Sequence, residues 1–218
     1  MIQFDRVAKQ YPGTGLALSD VSFTLERGQM VFLTGHSGAG KSTLLKLIAL
    51  MERPTRGQVL FDGRNVSKLS KRQVPYLRRQ VGVIFQDHRL LADQRVFDNV
   101  ALPLVIAGAR YAEIKRRVRA ALDKVGLLEK ERLYPAMLSG GEQQRVGIAR
   151  AIIAKPSVLL ADEPTGNLDP ELSAQLMQFF INLNELGVTV LVASHDVDLI
   201  ARLNKPTWVL KEGQLING

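Results

Sequence analysis

The sequence predicts an α/β fold with a helical segment inserted into it. Three observations carry that expectation. The runs "VGVIF" (81–85), "VLLAD" (158–162) and "VTVLVAS" (188–194) have the continuous aliphatic character of strands buried on both faces of a parallel sheet. "MVFLTG" (30–35) is a further such strand, and it runs into a glycine-rich loop and then a helix-spaced stretch, "STLLKLIALM" (42–51). Between Gln86 and about Lys155 strand signals become rare and amphipathic, charged stretches take over.

In chain order, "IQFDRVAKQY" (2–11) and "LALSDVSFTL" (16–25) alternate apolar and polar residues, as half-buried strands do. "GQVLFDG" (57–63) is a strand bounded by glycines. "YAEIKRRVRAALDKVG" (111–126) reads as an amphipathic helix stopped by Gly126, and "EQQRVGIARAIIAK" (142–155) as a second helix. "TWVLKEGQLI" (207–216) reads as a hairpin about Glu212 and Gly213. The expected division is one domain over 1–218, with 1–86 and 156–218 forming the core and 87–155 a helical subdomain.

Composition narrows the function classes. With 46% hydrophobic residues a chain of this length can bury a sizeable core. It has no cysteine, which excludes disulfides and thiolate metal sites, and three scattered histidines argue against zinc. The N-terminal stretch lacks the basic start and apolar core of a signal peptide. The longest apolar run, "VALPLVIAGA" (100–109), contains Pro103 and falls well short of the about 20 residues a membrane span needs. A net charge of +8 favours anionic partners without choosing among them.

The residues that carry chemistry lie at the ends of the expected strands. Gly35, Gly40, Lys41 and Ser42 satisfy G-x-x-x-x-G-K-[ST], with a strand before and a helix after. Gly35, His36, Ser37, Gly38, Ala39, Gly40, Lys41, Ser42 and Thr43 are therefore the candidate nucleotide cradle. Its glycines let backbone N–H groups turn onto phosphates, and the helix start adds positive potential. Lys41 supplies a point charge, and Ser42 a hydroxyl for Mg²⁺. Asp162 ends a strand where a carboxylate can hold that ion. The neighbouring Glu163 faces another way and can act as general base toward a water. His195, after "LVAS", is placed for a γ-phosphate contact. Gln86, read as ending the strand "VGVIF", can serve both the ion and the water. In open parallel sheets ligands sit at the carboxyl ends of strands, so these groups can converge.

A second glycine pair, in "LSGGEQQR" (138–145), starts a helix but brings no lysine. It is an incomplete phosphate site, which makes sense as the lid of another.

The order "GHSGAGKST", "VIFQ", "LSGGEQQR", "LLADEP", "GNLD", "SHD" resembles the nucleotide-binding domain of an ABC ATPase over essentially the whole chain. The resemblance implies a P-loop NTPase (RecA-like) core with an N-terminal antiparallel β subdomain and an inserted α-helical subdomain. It implies ATP and Mg²⁺ as ligands, ATP hydrolysis, and a head-to-tail homodimer on ATP binding. In that dimer Ser139, Gly140, Gly141 and Glu142 would contact the nucleotide held by the partner's cradle, and Asp169 in "GNLD" would join the dimer contact. Tyr11 in "KQYPG" would stack on adenine. "ADEPTGNLD" resembles the branch of the family that drives mechanical work by membrane proteins. The stretch 83–109 narrows this to the bacterial cell-division branch, whose partner is a polytopic membrane protein on the cytoplasmic membrane. Leu90, Leu91, Val96 and Phe97 are the candidate groove for that partner, and the basic residues of 68–80 could meet anionic lipid.

Rival readings are a lipoprotein-release or macrolide-export ATPase, which shares "ADEPTGNLD", a DNA-maintenance ABC ATPase and a small P-loop kinase. The second needs a long coiled coil between its motifs, and no sustained heptad fills 87–138. No nucleic-acid partner is therefore expected. A kinase would not explain "LSGGEQQR" or His195.

Overall fold

The computed structural model describes residues 1–13, 15–166 and 168–217, the last by its backbone alone. Among them, in chain order, run β1 (Ile2–Gln10), β2 (Leu16–Leu25), β3 (Met30–Thr34), α1 (Lys41–Ile48), β4 (Arg56–Phe61), β5 (Arg64–Asn65), α2 (Val74–Arg78) and β6 (Val81–Ile84). Then come α3 (Val96–Ile106), α4 (Tyr111–Lys124), α5 (Gly140–Ile152), β7 (Val158–Asp162), α6 (Pro170–Glu185), β8 (Thr189–Ala193), α7 (Val197–Leu203), β9 (Thr207–Lys211) and β10 (Gln214–Asn217).

The strands form two sheets. One is four-stranded in the order β2-β1-β4-β5, with antiparallel pairing throughout. The other is six-stranded in the order β10-β9-β3-β8-β7-β6 and parallel except for the β9–β10 hairpin. Glu212 and Gly213 both have positive φ (49° and 76°), the backbone a tight hairpin turn demands.

The uninterrupted aliphatic runs are explained by burial on both faces. In β3, Val31 and Leu33 join the core shared with α1 and the antiparallel sheet, while Met30 and Phe32 join the core under α6. Strands β7 and β8 divide their residues in the same alternating way. The period of two sends successive side chains to opposite sides, so a strand covered on both sides has no solvent-facing position. Phe4 stacks on its cross-strand partner Phe23 at 4.4 Å between ring centroids, and Phe23 reaches across to Trp208 of the other sheet at 4.6 Å.

Helices α3, α4 and α5 enclose a third core around Val100, Leu104, Val118, Leu122 and Val146. Pro103 lies inside α3 and removes one donor near its end, and the helix stops three residues later. No described helix is long and apolar enough to cross a membrane.

Two boundaries differ from expectation. Helix α5 runs over Gly140–Ile152 rather than 142–155. Its two leading glycines are poor helix formers, but Ser139 and Glu142 build a reciprocal capping box that starts the helix before them. Strand β6 stops at Ile84. Gln86 therefore does not end the strand; it lies in the turn beyond it.

Candidate nucleotide site

The loop between β3 and α1 is shaped by contacts that only glycine allows. A Cβ on Gly35 (φ 149°) would lie 2.2 Å from the Leu210 carbonyl oxygen, and one on Gly40 (φ 109°) 2.5 Å from that of Ala17. The loop thus beds against the backbones of β9 and β2. Gly38 also has positive φ (81°) but faces open space. Lys41, only 8% exposed, folds back over the loop and donates from Nζ to the Gly35 carbonyl at 2.7 Å.

A cleft of about 520 Å³ opens above this loop. His36, Ser37, Gly38, Ala39, Gly40, Lys41, Ser42, Thr43, Gln86, Asp162, Glu163 and His195 all line it, together with Ala17. Residues from four separate loops, following β3, β6, β7 and β8, meet there because the strands are parallel and adjacent.

Glu163 sits at the centre. Its backbone is left-handed (φ 47°) and its N–H donates to the Ala193 carbonyl at 2.9 Å, which ties the turn after β7 to the end of β8. This kink turns Glu163 away from the line of Asp162. One carboxylate oxygen lies 3.5 Å from Lys41 Nζ and the other 2.8 Å from His195 Nδ1.

Asp162 is half-buried, and Ser42 hydrogen-bonds its carboxylate. Burial raises its pKa above the ordinary 3.8, with the Ser42 bond opposing. Its Oδ1 is buried with no hydrogen-bond partner among the described residues. An orphaned carboxylate oxygen, a neighbouring hydroxyl and the Gln86 amide form an oxygen-donor set that fits Mg²⁺, which needs few protein ligands when phosphates supply the rest.

Tyr11 is not among the cleft-lining residues. Its hydroxyl lies 3.5 Å from Thr43 Oγ1, and Lys9 Nζ sits 4.8 Å from its ring centroid, so the ring stands beside the cradle.

The second glycine pair lies elsewhere. Ser139, Gly140, Gly141 and Glu142 line none of the cleft that holds Lys41. Ser139 and Gly140 are exposed, with Ser139 Oγ accepting from Glu142 N at 3.3 Å. A Cβ on Gly141 would lie 3.3 Å from Leu168 Cδ2, so the start of α5 packs beside the loop that leads to α6. Asp169 caps α6, accepting from Leu172 N at 2.9 Å. Asn167, within "GNLD", lies outside the described residues.

The candidate groove residues divide. Leu91 is exposed, and Leu90 and Phe97 are partly buried against the third core. Val96 is fully buried in that core and offers a partner no surface. It begins α3 with its side chain facing inward.

Three positioning side chains go beyond those read from sequence. Gln144, 2% exposed, donates to the Pro164 carbonyl at 3.0 Å. Arg150 donates to the His88 and Arg89 carbonyls at 2.6 and 2.7 Å, next to Gln86. Asn99, fully buried, receives Leu91 N and donates to the Leu91, Gln94 and Arg95 carbonyls. Gln144 stands in a motif already marked, so that signal was present. Asn99 sits beside Asp98 just ahead of the apolar run 100–109, and the sequence carries no comparable signal for it.

Glycine cradle, buried lysine and paired strand-end carboxylates define a P-loop nucleotide-binding cassette. A family profile described as "ABC transporter" matches residues 18–166, and the chain belongs to that family. It is 58% identical over 218 residues to the Cell division ATP-binding protein FtsE of Escherichia coli (strain K12), covering 100% of this chain and 98% of that protein. Its fold superposes with a TM-score of 0.94 on the dimeric structure of MJ0796, a bacterial ABC transporter cassette, at 35% identity, covering 100% of this chain and 97% of that one. A dimeric post-hydrolysis state of the same cassette, bound to ADP and Pi, gives a TM-score of 0.93 at 34% identity, with the same coverage.

Proposed function

We propose that this chain binds ATP in the cleft and hydrolyses it, as the cytoplasmic-face ATPase subunit of a bacterial cell-division complex. The observation that carries the hydrolytic reading is the Glu163 carboxylate held between Lys41 and His195. Lys41 and the loop amides bind the β- and γ-phosphates, and Tyr11 stacks on adenine. Ser42, Gln86 and Asp162 hold Mg²⁺, which neutralises phosphate charge when bound. Glu163 accepts a proton from water as the oxygen attacks the γ-phosphorus, and ADP leaves with its β-phosphate oxygen. His195 holds the Glu163 carboxylate and contacts the γ-phosphate. Little covalent work falls to the protein here; positioning and charge dominate.

The exposed Ser139 end of α5 lies outside its own chain's cleft, which supports a site completed in trans. Two copies pack head to tail, and Ser139, Gly140, Gly141 and Glu142 of each close on the ATP of the other, with Asp169 at the contact. The γ-phosphate bridges the chains, and hydrolysis releases them, a ligand-driven two-state switch.

A polytopic, FtsX-like membrane protein is the proposed partner, received by the region 87–155 as a helical subdomain distinct from the core. Near Gln86 a cavity of about 430 Å³, with Met51, Phe85 and Arg89 in its walls, shares Ser42, Gln86 and Asp162 with the nucleotide cleft. A helix docked there would feel the nucleotide state directly. Exposed Leu91 and half-buried Phe97 are the further apolar residues of the proposed groove. Opening and closing of the dimer would then pass through the membrane to control septal peptidoglycan hydrolysis. Full-length identity to a protein named for cell division supports this role.

The test uses Glu163→Gln. It should bind ATP, stay dimeric, and hydrolyse about 10²–10⁴-fold more slowly, the usual worth of a general base. Solubilised from its native cell with ATP and Mg²⁺, it should carry a polytopic membrane protein with a large external domain. Wild-type hydrolysis would remove Glu163 as base; a lipoprotein-release or export permease would replace the biology.

A further inference from the structure

Glu142 poses an electrostatic problem. It is the third residue of α5, on the helix end that the trans reading brings against a γ-phosphate. An unpaired carboxylate there would set negative charge beside a polyanion. The structure does not leave it unpaired. Glu142 Oε1 forms a hydrogen-bonded ion pair with Lys130 Nζ, and Oε2 accepts from Ser139 N at 3.0 Å. Those two bonds, with Lys130 the larger influence and Arg145 adding to it, hold the Glu142 carboxyl below its ordinary value.

Lys130 is not part of α5. It ends a short 3₁₀ turn over Leu128–Lys130. The next residue, Glu131, accepts Phe97 N of α3 through its carbonyl at 2.9 Å and pairs with Arg119 of α4 at 3.4 Å. Gln143 makes a second tie from α5 to the preceding loop, donating to the Pro135 and Leu138 carbonyls at 3.1 and 3.3 Å. The lysine is thus mounted on a segment anchored to α3 and α4, and from there it grips the start of α5.

We propose that Lys130 is a positioning residue for the trans nucleotide site. It cancels the charge of Glu142 and pins that carboxylate to the Ser139 amide, so the α5 end meets the partner's γ-phosphate as a neutral, pre-shaped donor surface. This rests on the trans reading of Ser139 proposed above. Lys130 is 40% and Glu142 18% exposed. A pair so placed adds little to folding stability, so its consequence is in association.

The experiment measures Mg·ATP-driven dimerisation by sedimentation velocity in the full Glu163→Gln chain. Lys130→Met should weaken the dimer roughly tenfold, with ATP binding to the monomer and the melting midpoint nearly unchanged. Lys130→Arg should behave as the parent. Adding Glu142→Gln to Lys130→Met should recover most of the loss, because an amide oxygen still accepts from Ser139 N and carries no charge. A merely structural role for Lys130 would not be rescued in that way. Undiminished dimerisation of Lys130→Met, or no recovery with Glu142→Gln, overturns the proposal. Ser139→Arg separates the two readings. If it blocks dimerisation while Lys130→Met does not weaken it, Lys130 alone is misassigned; if both dimerise normally, the trans reading fails and takes this one with it.

Discussion

The Glu163 carboxylate lies between two basic groups from opposite sides of the cleft: His195 Nδ1 is 2.8 Å from Oε2 and Lys41 Nζ is 3.5 Å from Oε1. The lysine begins α1, at the end of the loop after β3, and the histidine lies in the loop after β8; β3 and β8 are neighbouring strands in the sheet. Their spacing is fixed by the sheet, so the carboxylate is held by parts that do not move independently. His195 is 71% exposed while Glu163 is 11%. Replacing His195 by Ala should therefore leave the melting midpoint nearly unchanged, since exposed substitutions cost at most about 0.5 kcal/mol. Phosphate release should fall about 10²-fold or more, the scale for losing one aligned polar group. A variant that melts early and hydrolyses normally would mean that His195 serves the fold.

Gly40 and Gly38 separate backbone strain from steric conflict. Both have positive φ, which costs an L-residue about 1–2 kcal/mol. At Gly38 a Cβ meets nothing within 4 Å, whereas at Gly40 it meets the Ala17 carbonyl at 2.5 Å and Leu18 Cδ2 at 2.9 Å. Gly38→Ala should cost about 1 kcal/mol in urea unfolding. Gly40→Ala should cost more and lose affinity for nucleotide, because relief of the clash must move the loop that carries Lys41. Equal losses at the two positions would refute the contact with Ala17.

Asp162 is a cost to the fold that ligand binding offsets. Its pKa in the folded chain is raised by burial. For an acid shifted upward, the stabilising effect of the proton is complete below the ordinary 3.8 and is lost as pH rises through the higher folded value. Burial of Asp162 therefore destabilises the ligand-free protein once pH exceeds the ordinary carboxylate value. Asp162→Asn should raise the melting midpoint measured without nucleotide. The same variant should lose most of the further rise on adding Mg·ATP, a gain of about 2.7 kcal/mol at a ligand concentration of 100 Kd. Thermal melts with and without Mg·ATP test both signs at once. A lowered midpoint without ligand would show that the Ser42 bond outweighs burial.

The candidate residues after β3, β7 and β8 could be placed from sequence because the apolar runs of those strands are unmistakable. β3, β7 and β8 fall within the stretches read from sequence, and the hairpin turns at Glu212 and Gly213 as expected. What escaped is set by three-dimensional context. The left-handed backbone of Glu163 depends on its bond to Ala193 in a strand 30 residues on. Helix α6 was readable in principle: Asp169 and Pro170 are a cap and first-turn proline, and Gly187 follows its end. The inward side chain of Val96 needs the helix phase of α3, which a ten-residue apolar run containing proline does not reveal.

Gln144 is the buried link between the helix that starts at Ser139 and the turn that holds Glu163. Its amide donates to the Pro164 carbonyl, one residue past Glu163, at 3.0 Å, and it is 2% exposed. Pro164 has no N–H of its own to anchor the turn. Three bonds therefore hold the turn at Glu163: its own N–H on Ala193, its carbonyl accepting from Gly166 N at 3.2 Å, and the Pro164 carbonyl accepting from Gln144. Gln144→Leu keeps the volume but leaves a buried carbonyl unpaired, which costs about 1–3 kcal/mol. Gln144→Glu keeps the shape but sets a charge against that carbonyl and should cost more. If the link positions Glu163, Gln144→Leu should lower kcat while KM for ATP changes little, because Lys41 and its loop are untouched. The fall in kcat should persist well below the melting range, where the variant is fully folded. A variant that loses stability yet keeps the wild-type kcat at low temperature would mean that Gln144 only packs α5 against the core.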